Sequence, residues 1–196
     1  MKNHIRSIVD VSKYIFERKL VSGKAGNVSS RFKTSDNKDV IGITPTLKSL
    51  CDVKEEDIVL VDLDGNLLTK GKPSSEVFMH LAIYKERDDI NGIVHTHSPF
   101  ATGFAFSEKR IKRLEGFGKI KTPFLEEIEY EKPGSDKLAE KAGKALGEIK
   151  EEDVLILKDH GIVTTGTDVK EAGALAEFVE DISKTQFISH MLNSTE

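Results

Sequence analysis

Short apolar runs alternate with segments of helical period along the whole chain, and this alternation restricts the fold more than any other sequence feature. Residues 1 to about 20 place apolar side chains at helical spacing. Ile58 to Leu63 is a β-branched run, and the turn residues Asp64-Gly65-Asn66 and then Leu67-Leu68 follow it as in a hairpin. Strands mixed with helices, with hairpins among the strands, indicate an α/β sandwich around a mostly antiparallel or mixed sheet.

Turn signals and capping residues between the periodic segments set the predicted boundaries. The predicted strands are residues 28–32, 40–43, 58–63, 92–97, 154–157 and 162–165. The predicted helices after the first are residues 73–87, 98–106, 135–149 and 168–192, the last one capped by Asp168. The pattern is weakest in residues 107–134, where strand pieces are expected near Ile120 and Ile128.

Length and charge bound the class of protein. The 196 residues contain no internal repeat and no linker-like stretch, so we predict one domain over residues 1–196. The 29 Lys and Arg against 33 Asp and Glu give a net charge of −4, and without a basic block we expect no nucleic-acid partner. No apolar run reaches the roughly 20 residues of a membrane span, and no signal-peptide core follows Met1. We therefore expect a cytoplasmic protein without a membrane partner.

Cysteine is nearly absent, which restricts any metal chemistry to histidine and carboxylate ligands. The single Cys51 excludes an internal disulfide framework and a zinc site built from several thiolates. His95 and His97 lie at i and i+2 near the end of an apolar strand, so their side chains project from the same face. Such a pair fits hydrogen-bonded core residues about as well as a metal site.

A third histidine follows a second apolar strand. His160 comes directly after residues 154–157, and Gly161 allows a sharp turn there. If the two strands are neighbours, three imidazoles converge in the pattern of a catalytic Zn²⁺ site, with three protein ligands and an open position. The alternative is that His160 only occupies the turn.

Glu76 is the acidic candidate for the same site. We place it in the first turn of the helix that Pro73 opens, where exposed N–H groups favour a carboxylate, so a purely structural role is equally compatible. His80 lies at i+4 on the same helix face, and we interpret it as an ordinary helix-face histidine rather than a partner of Glu76. His4 and His190 are expected to face solvent.

Three short, donor-rich segments could bind an anion. They are Gly26-Asn27, Thr44-Pro45-Thr46 and Ser74-Ser75. Small loops and a helix N-terminus together form a phosphate cradle. Taken singly, each segment is more typical of an ordinary turn or cap, and nothing in the spacing joins them.

Five segments together resemble the class II aldolase/adducin family, over residues 23 to about 184. They are Ala25–Ser29, Ile43–Thr46, Pro73–Glu76, Ile93–Ser98 and Lys158–Gly161. The resemblance implies a compact α/β/α domain that assembles as a homotetramer with active sites between subunits. It also implies a metal-dependent aldolase, which cleaves a phosphorylated ketose into dihydroxyacetone phosphate and an aldehyde such as lactaldehyde through an enediolate.

The resemblance assigns roles to matching positions. His95, His97 and His160 match residues that bind a divalent metal, usually zinc, and Glu76 matches the acid/base, which can also ligate the metal. The positions that match phosphate-binding residues are Gly26, Asn27, Thr46, Ser74 and Ser75.

Other activities of the family share the metal and phosphate positions. A pentulose-5-phosphate 4-epimerase and a methylthioribulose-1-phosphate dehydratase are the enzymatic alternatives, and a non-catalytic adducin-type module is the structural one. The three histidines and Glu76 favour an enzyme, and epimerases of the family commonly carry Asp at that acidic position. The chain departs from the aldolase pattern at Lys24 (usually Thr), at Leu47 (often Gly) and around residues 113–119, where the family's proton-donating Tyr has no counterpart.

Overall fold

The computed structural model describes residues 1–114, 122–149 and 152–194, and one sheet with helices on both sides accounts for most of them. The strands are β1 (Asn27–Lys33), β2 (Asp39–Ile43), β3 (Val59–Val61), β4 (Gly92–Thr96), β5 (Glu126–Ile128), β6 (Val154–Leu157) and β7 (Gly161–Gly166). The α-helices are α1 (Lys2–Glu17), α2 (Val77–Glu86), α3 (Pro99–Ala105), α4 (Asp136–Glu148) and α5 (Val169–Asn193).

The sheet is mixed, with strand order β3-β2-β1-β4-β7-β6-β5. Every neighbouring pair is antiparallel except β5 and β6, which run parallel. The predicted fold class, an α/β sandwich around a mostly antiparallel sheet, is therefore confirmed. The strand expected near Ile128 is β5, whereas the one expected near Ile120 lies outside the described residues.

Alternation along β4 shows how the layers are divided. Val94 packs into an apolar cluster with α1, β1 and α5, whereas Ile93 packs on the opposite face with α2 and α4. Successive side chains of a strand point to opposite faces, so His95 belongs to the face of Ile93 and α2. A third cluster joins α3 and β6 to the middle of α5.

The long helix α5 begins as the sequence predicts. The Asp168 side chain accepts hydrogen bonds from the backbone N–H groups of Lys170 and Glu171, which satisfies two donors of the first turn. Among the described residues no helix is apolar over a length that could cross a bilayer.

The predicted hairpin after β2 forms, but its second strand is very short. β3 covers only Val59–Val61, and its partner is reduced to one bridge, from Val61 to Leu67. The Asp62 carboxylate accepts hydrogen bonds from the N–H groups of Asp64 and Asn66 and so holds the turn.

A buried arginine ties α2 to β1. Arg31, 6% exposed, donates hydrogen bonds to the carbonyl oxygens of Tyr84 (2.9 Å), Arg87 (2.9 Å) and Ile90. These carbonyls at and beyond the end of α2 would otherwise be buried without partners. The contact fixes the position of the helix that carries the candidate site residues at its other end.

Gly92 is required where β4 begins, beneath the start of α5. A Cβ atom there would lie 2.3 Å from backbone atoms of Asp168 and Val169. We expect Gly92→Ala to destabilise the fold by about 1–3 kcal/mol or more, because backbone atoms must shift to admit the methyl group. Thermal unfolding checks this, since each kcal/mol lowers Tm by about 2–4 °C in a chain of this size.

The matched control for this substitution is Gly103→Ala, because a Cβ at Gly103 in α3 would meet no atom within 4 Å among the described residues beyond its own helix turn. Alanine also has the higher helix propensity, so its Tm should equal or exceed that of the wild type. Equal losses in both variants would contradict the packing argument.

Candidate active site

Three imidazoles converge where β4 meets β7. His95 and His97 lie at the end of β4, and His160 occupies the turn before β7. The two strands are neighbours, and Thr96 pairs with Ile162. The ring centroids are 4.8 Å apart for His95 with His97 and for His95 with His160, and 5.0 Å apart for His97 with His160. The sequence predicts that the three imidazoles converge if the two strands are neighbours, and the structure shows both.

The tautomer of His95 follows from its partner. His95 Nδ1 lies 2.8 Å from the carbonyl oxygen of Ile162, which can only accept, so Nδ1 carries the hydrogen. Burial lowers the pKa of His95 to about 4, so the ring is neutral near pH 7. His95 Nε2 therefore presents a lone pair toward His97 Nε2, which lies 2.9 Å away.

The other two histidines are neutral as well. Burial lowers the pKa of His97 and of His160 to about 4, and the neighbouring His95 adds to both shifts. Glu76 opposes them by raising both values, but burial outweighs its effect. Neutral imidazole is the form that binds a metal ion, so the site is ready for one near neutral pH.

The Glu76 carboxylate faces the imidazoles rather than its own helix. The residue takes the N-cap position because α2 begins at Val77, four residues later than predicted, and its side chain makes no capping hydrogen bond. Its Oε2 lies 3.3 Å from His95 Nε2 and its Oε1 lies 3.4 Å from His160 Nε2. The structural alternative for Glu76, in which the carboxylate serves the helix N-terminus, is therefore wrong.

The donor set fits a divalent cation. One ring nitrogen of each of His95, His97 and His160 lies within 4.8 Å of the other two, and Glu76 adds carboxylate oxygens beside them. Within the part of the chain that the structure describes, Glu76 Oε1 is buried without a hydrogen-bond partner. The lone pairs of these imidazole nitrogens and carboxylate oxygens point at one another, and this arrangement favours a positive ion between them. Nitrogen and oxygen ligands of this kind suit zinc and related divalent metals.

Gly161 permits the close approach of the two strands. The sequence assigned the sharp turn to this glycine, but the residue with positive φ is Asp159, at 53°. A Cβ at Gly161 would lie 2.5 Å from the Thr96 carbonyl oxygen and 3.0 Å from His97 Cδ2. The glycine is needed for space beside the histidine pair rather than for the turn.

The interpretation of His80 as an ordinary helix-face histidine is wrong. His80 is fully buried, with Nε2 2.5 Å from Asn27 Oδ1 and Nδ1 2.7 Å from Ser29 Oγ. Asn27 Nδ2 in turn donates to Glu76 Oε2 at 2.9 Å. The i, i+4 spacing from Glu76 was the available signal, but the sequence did not show that β1 lies beside this helix face.

Backbone hydrogen bonds bring together the three segments that spacing could not join. The N–H of Ser74 donates to the Thr44 carbonyl, the N–H of Thr44 to the Val28 carbonyl, and the N–H of Thr46 to the Lys72 carbonyl, at 3.0, 3.0 and 3.1 Å. Ser74 is buried, whereas Ser75 is exposed.

Gly26 links these loops to the histidines. It has a φ of 78°, and a Cβ there would lie 2.9 Å from the His95 carbonyl oxygen. Leu47, where the family often has glycine, also adopts a left-handed φ, at 60°, with an exposed side chain. Part of the stretch that lacks the family's tyrosine, residues 115–121, lies outside the described residues.

The first prediction for this site concerns metal content. Chelator-treated protein dialysed against Zn²⁺ should bind about one ion per chain, as expected for a three-histidine site. His97→Ala should lower the affinity by more than about 100-fold, the upper range for loss of an outer-shell partner, because it removes a ligand itself. Metal analysis after dialysis measures both. His190→Ala, which alters an exposed histidine of α5, is the control, and equal affinity in the two variants would contradict the site.

The second prediction concerns the stability of metal-free protein in mild acid. Burial lowers the pKa of His80 from 6.5 to about 3 and that of His95, His97 and His160 from 6.5 to about 4. Below pH 6.5 these histidines bind protons in the unfolded chain but stay unprotonated in the folded chain. These four histidines therefore do not reduce the free energy of unfolding above pH 6.5, and they reduce it progressively as the pH falls toward 4.

Thermal unfolding of chelator-treated protein from about pH 7 to about pH 4.5 tests this. Tm should fall through the interval, and His97→Gln, which removes one of the four groups, should show a shallower decline. A Tm that stays level or rises on acidification would contradict the assignment of neutral buried rings.

Comparisons with known proteins agree with this geometry. The family model described as Class II Aldolase and Adducin N-terminal domain matches residues 6–187. An L-fuculose phosphate aldolase of Methanococcus maripaludis is 39% identical over 189 residues, covering 96% of this chain and 98% of that protein. One from Methanocaldococcus jannaschii is 39% identical over 184 residues, covering 94% and 96%. A solved L-fuculose 1-phosphate aldolase superposes with a TM-score of 0.85 at 26% identity, covering 98% and 88%.

Similar proteins with other names show that the substrate varies. A 5-deoxy-D-ribulose 1-phosphate aldolase of Bacillus thuringiensis is 33% identical, covering 88% of this chain and 79% of that protein. A 3-oxo-tetronate 4-phosphate decarboxylase of Haemophilus influenzae is 32% identical, covering 92% and 85%. With its fold, its three converging histidines and these matches, the chain belongs to the class II aldolase and adducin N-terminal domain family, as a class II aldolase.

Proposed function

We propose that this protein is a zinc-dependent aldolase that reversibly cleaves a ketose 1-phosphate of the L-fuculose 1-phosphate type. The products are dihydroxyacetone phosphate and an aldehyde such as lactaldehyde. The observation that carries the proposal is the convergence of three neutral imidazoles beside the three donor-rich loops, together with one Glu76 oxygen that has no hydrogen-bond partner among the described residues. The names of relatives at 37–39% identity support the choice of sugar.

In this proposal His95, His97 and His160 hold the ion, and Glu76 stands close enough to join them. A divalent ion bound there supplies Lewis-acid stabilisation of negative charge on substrate oxygens. Zinc is the first candidate because nitrogen ligands with one carboxylate are common in its catalytic sites.

Glu76 is the proposed acid/base. Its carboxylate is buried, one oxygen accepts from Asn27, and the other has no hydrogen-bond partner within the described residues. Oε1 can take up the proton of the substrate hydroxyl whose carbon becomes the aldehyde, and it can then deliver that proton to the carbon from which the aldehyde has departed.

The phosphate binds locally in this proposal, because a chain with net charge −4 offers no bulk attraction for an anion. The proposed contacts come from Gly26, Asn27, Thr46, Ser74 and Ser75. Ser74 and Ser75 directly precede Glu76 and α2, a helix of ten residues whose N-terminal N–H groups favour negative charge.

We also propose a cytoplasmic homotetramer with active sites between subunits. The second half of α5 supports an assembly contact, because Phe187, Ile188, Met191 and Leu192 are between 45% and 69% exposed. A row of exposed apolar side chains on one helix is typical of a surface that another subunit covers.

A coupled assay for dihydroxyacetone phosphate tests the activity. The zinc-loaded enzyme should release it from L-fuculose 1-phosphate, and Glu76→Gln should lower kcat by about 10²–10⁴, the usual contribution of a positioned acid/base. The metal should stay bound to Glu76→Gln, because the three histidines are intact.

The same assay separates the alternatives. Preferred cleavage of 5-deoxy-D-ribulose 1-phosphate would change the sugar and keep the reaction. Loss of carbon dioxide from 3-oxo-tetronate 4-phosphate, or turnover of a pentulose 5-phosphate without carbon–carbon cleavage, would overturn the aldolase proposal. Metal loss from Glu76→Gln with residual turnover would leave Glu76 a ligand only.

A further inference from the structure

A buried row of polar side chains runs from Tyr84 to Glu76. Tyr84 OH lies 2.9 Å from Ser29 Oγ, Ser29 Oγ lies 2.7 Å from His80 Nδ1, and His80 Nε2 lies 2.5 Å from Asn27 Oδ1. Asn27 Nδ2 completes the row 2.9 Å from Glu76 Oε2. All five residues are 7% exposed or less.

Two regular periods build this row. Asn27 and Ser29 lie at i and i+2 of β1, and therefore on one face of the strand. Glu76, His80 and Tyr84 follow one another at i+4 spacing, on one face of α2 and its cap. The row is thus a strand face opposed to a helix face, with its members alternating between the two elements.

The hydrogen-bond directions can be derived from the Glu76 end. A carboxylate only accepts, so the amide nitrogen of Asn27 donates to Glu76 Oε2 and the amide oxygen faces His80. An amide oxygen also only accepts, so His80 Nε2 carries the hydrogen. In a neutral ring His80 Nδ1 is then an acceptor, and the Ser29 hydroxyl donates to it.

Burial supports the neutral state of the ring. Complete burial lowers the pKa of His80 to about 3, and a charge on His95 would lower it further. Burial also raises the pKa of Tyr84, so its phenol keeps the hydrogen that it donates to Ser29. All four hydrogen bonds then point the same way, toward Glu76.

The two carboxylate oxygens of Glu76 differ as a result. Oε2 accepts from Asn27, whereas Oε1, without a hydrogen-bond partner in the described chain, lies 3.4 Å from His160 Nε2. An anchor on one oxygen fixes the rotation of the carboxylate and leaves the other free for proton transfer. Catalytic groups depend on such orientation, since small misplacements cost large factors in rate.

We propose that His80 is a positioning residue for Glu76, acting through Asn27, with Ser29 and Tyr84 fixing its tautomer. The inference rests on the proposed acid/base role of Glu76, but the assigned tautomer does not. In this proposal the Asn27 side chain has two roles: it holds the Glu76 carboxylate, and it contributes to the proposed phosphate site.

Substitutions of His80 test the positioning role. His80→Leu should lower kcat by about 10–100-fold, the range for outer-shell partners, with metal content and KM within about twofold of wild type. His80→Gln keeps a donor for Asn27 and should restore most of kcat. Equal losses in both variants, or a loss that appears in KM or in metal content, would overturn the proposal.

A smaller change tests the hydrogen bond on the Nδ1 side of the His80 ring. Ser29→Ala removes the donor to His80 Nδ1 and should lower kcat about threefold to tenfold, toward the lower range for outer-shell partners. Ser183→Ala is its matched control, because Ser183 is equally buried but donates to the Val179 carbonyl within its own helix α5. Unchanged kcat in Ser29→Ala, or equal losses in the two serine variants, would overturn the role of Ser29.

Nitrogen-15 NMR of histidine-labelled protein tests the tautomer without any substrate. His80, assigned by comparison with His80→Gln, should carry its hydrogen on Nε2, whereas His95 should carry it on Nδ1 and serves as the internal reference. A His80 ring protonated on Nδ1 at neutral pH would overturn the proposal. Absence of aldol cleavage with the predicted tautomer present would instead count against the proposed function alone.

Discussion

The pairing of β4 with β7 determines where the three imidazoles lie, because it places the end of one strand beside the turn that begins the other. The register sets Thr96 opposite Ile162, and this places His160 next to His95. The Ile162 carbonyl also accepts from His95 Nδ1 and so turns Nε2 toward the centre. β7 can come this close to the end of β4 because residue 161 is glycine, since any side chain there would collide with the Thr96 carbonyl.

Burial gives the site its chemistry. Three rings whose pKa would otherwise be near 6.5 stay neutral to about pH 4. The Glu76 carboxylate lies beside them, and one of its oxygens has no hydrogen-bond partner in the described part of the chain. Such a collection of lone pairs is costly in an apolar core unless a cation or a proton joins it. Arg31 and the apolar cluster that contains Ile93 hold α2 against the sheet, and Gly92 lets β4 pass close to the backbone of Asp168.

The position of α2 serves two purposes at once. Its N-terminal end presents Glu76 to the histidines and follows the serines of the proposed phosphate site, and its inner face faces β1. The row from Tyr84 to Asn27 therefore links the packing of a helix on a strand to the orientation of one carboxylate. In this chain the contact between α2 and β1 thus also carries the hydrogen bond from Asn27 to Glu76.

The amino-acid sequence by itself determined the alternation of elements, the Asp168 cap and the histidine pair, because these depend on local periods and on capping within a few residues. It named Glu76 but left its direction open, and it misjudged His80, because spacing along a helix does not reveal what packs against that face. The tertiary structure decided both, together with the joining of the three loops, since backbone pairing between residues far apart in the chain sets those distances.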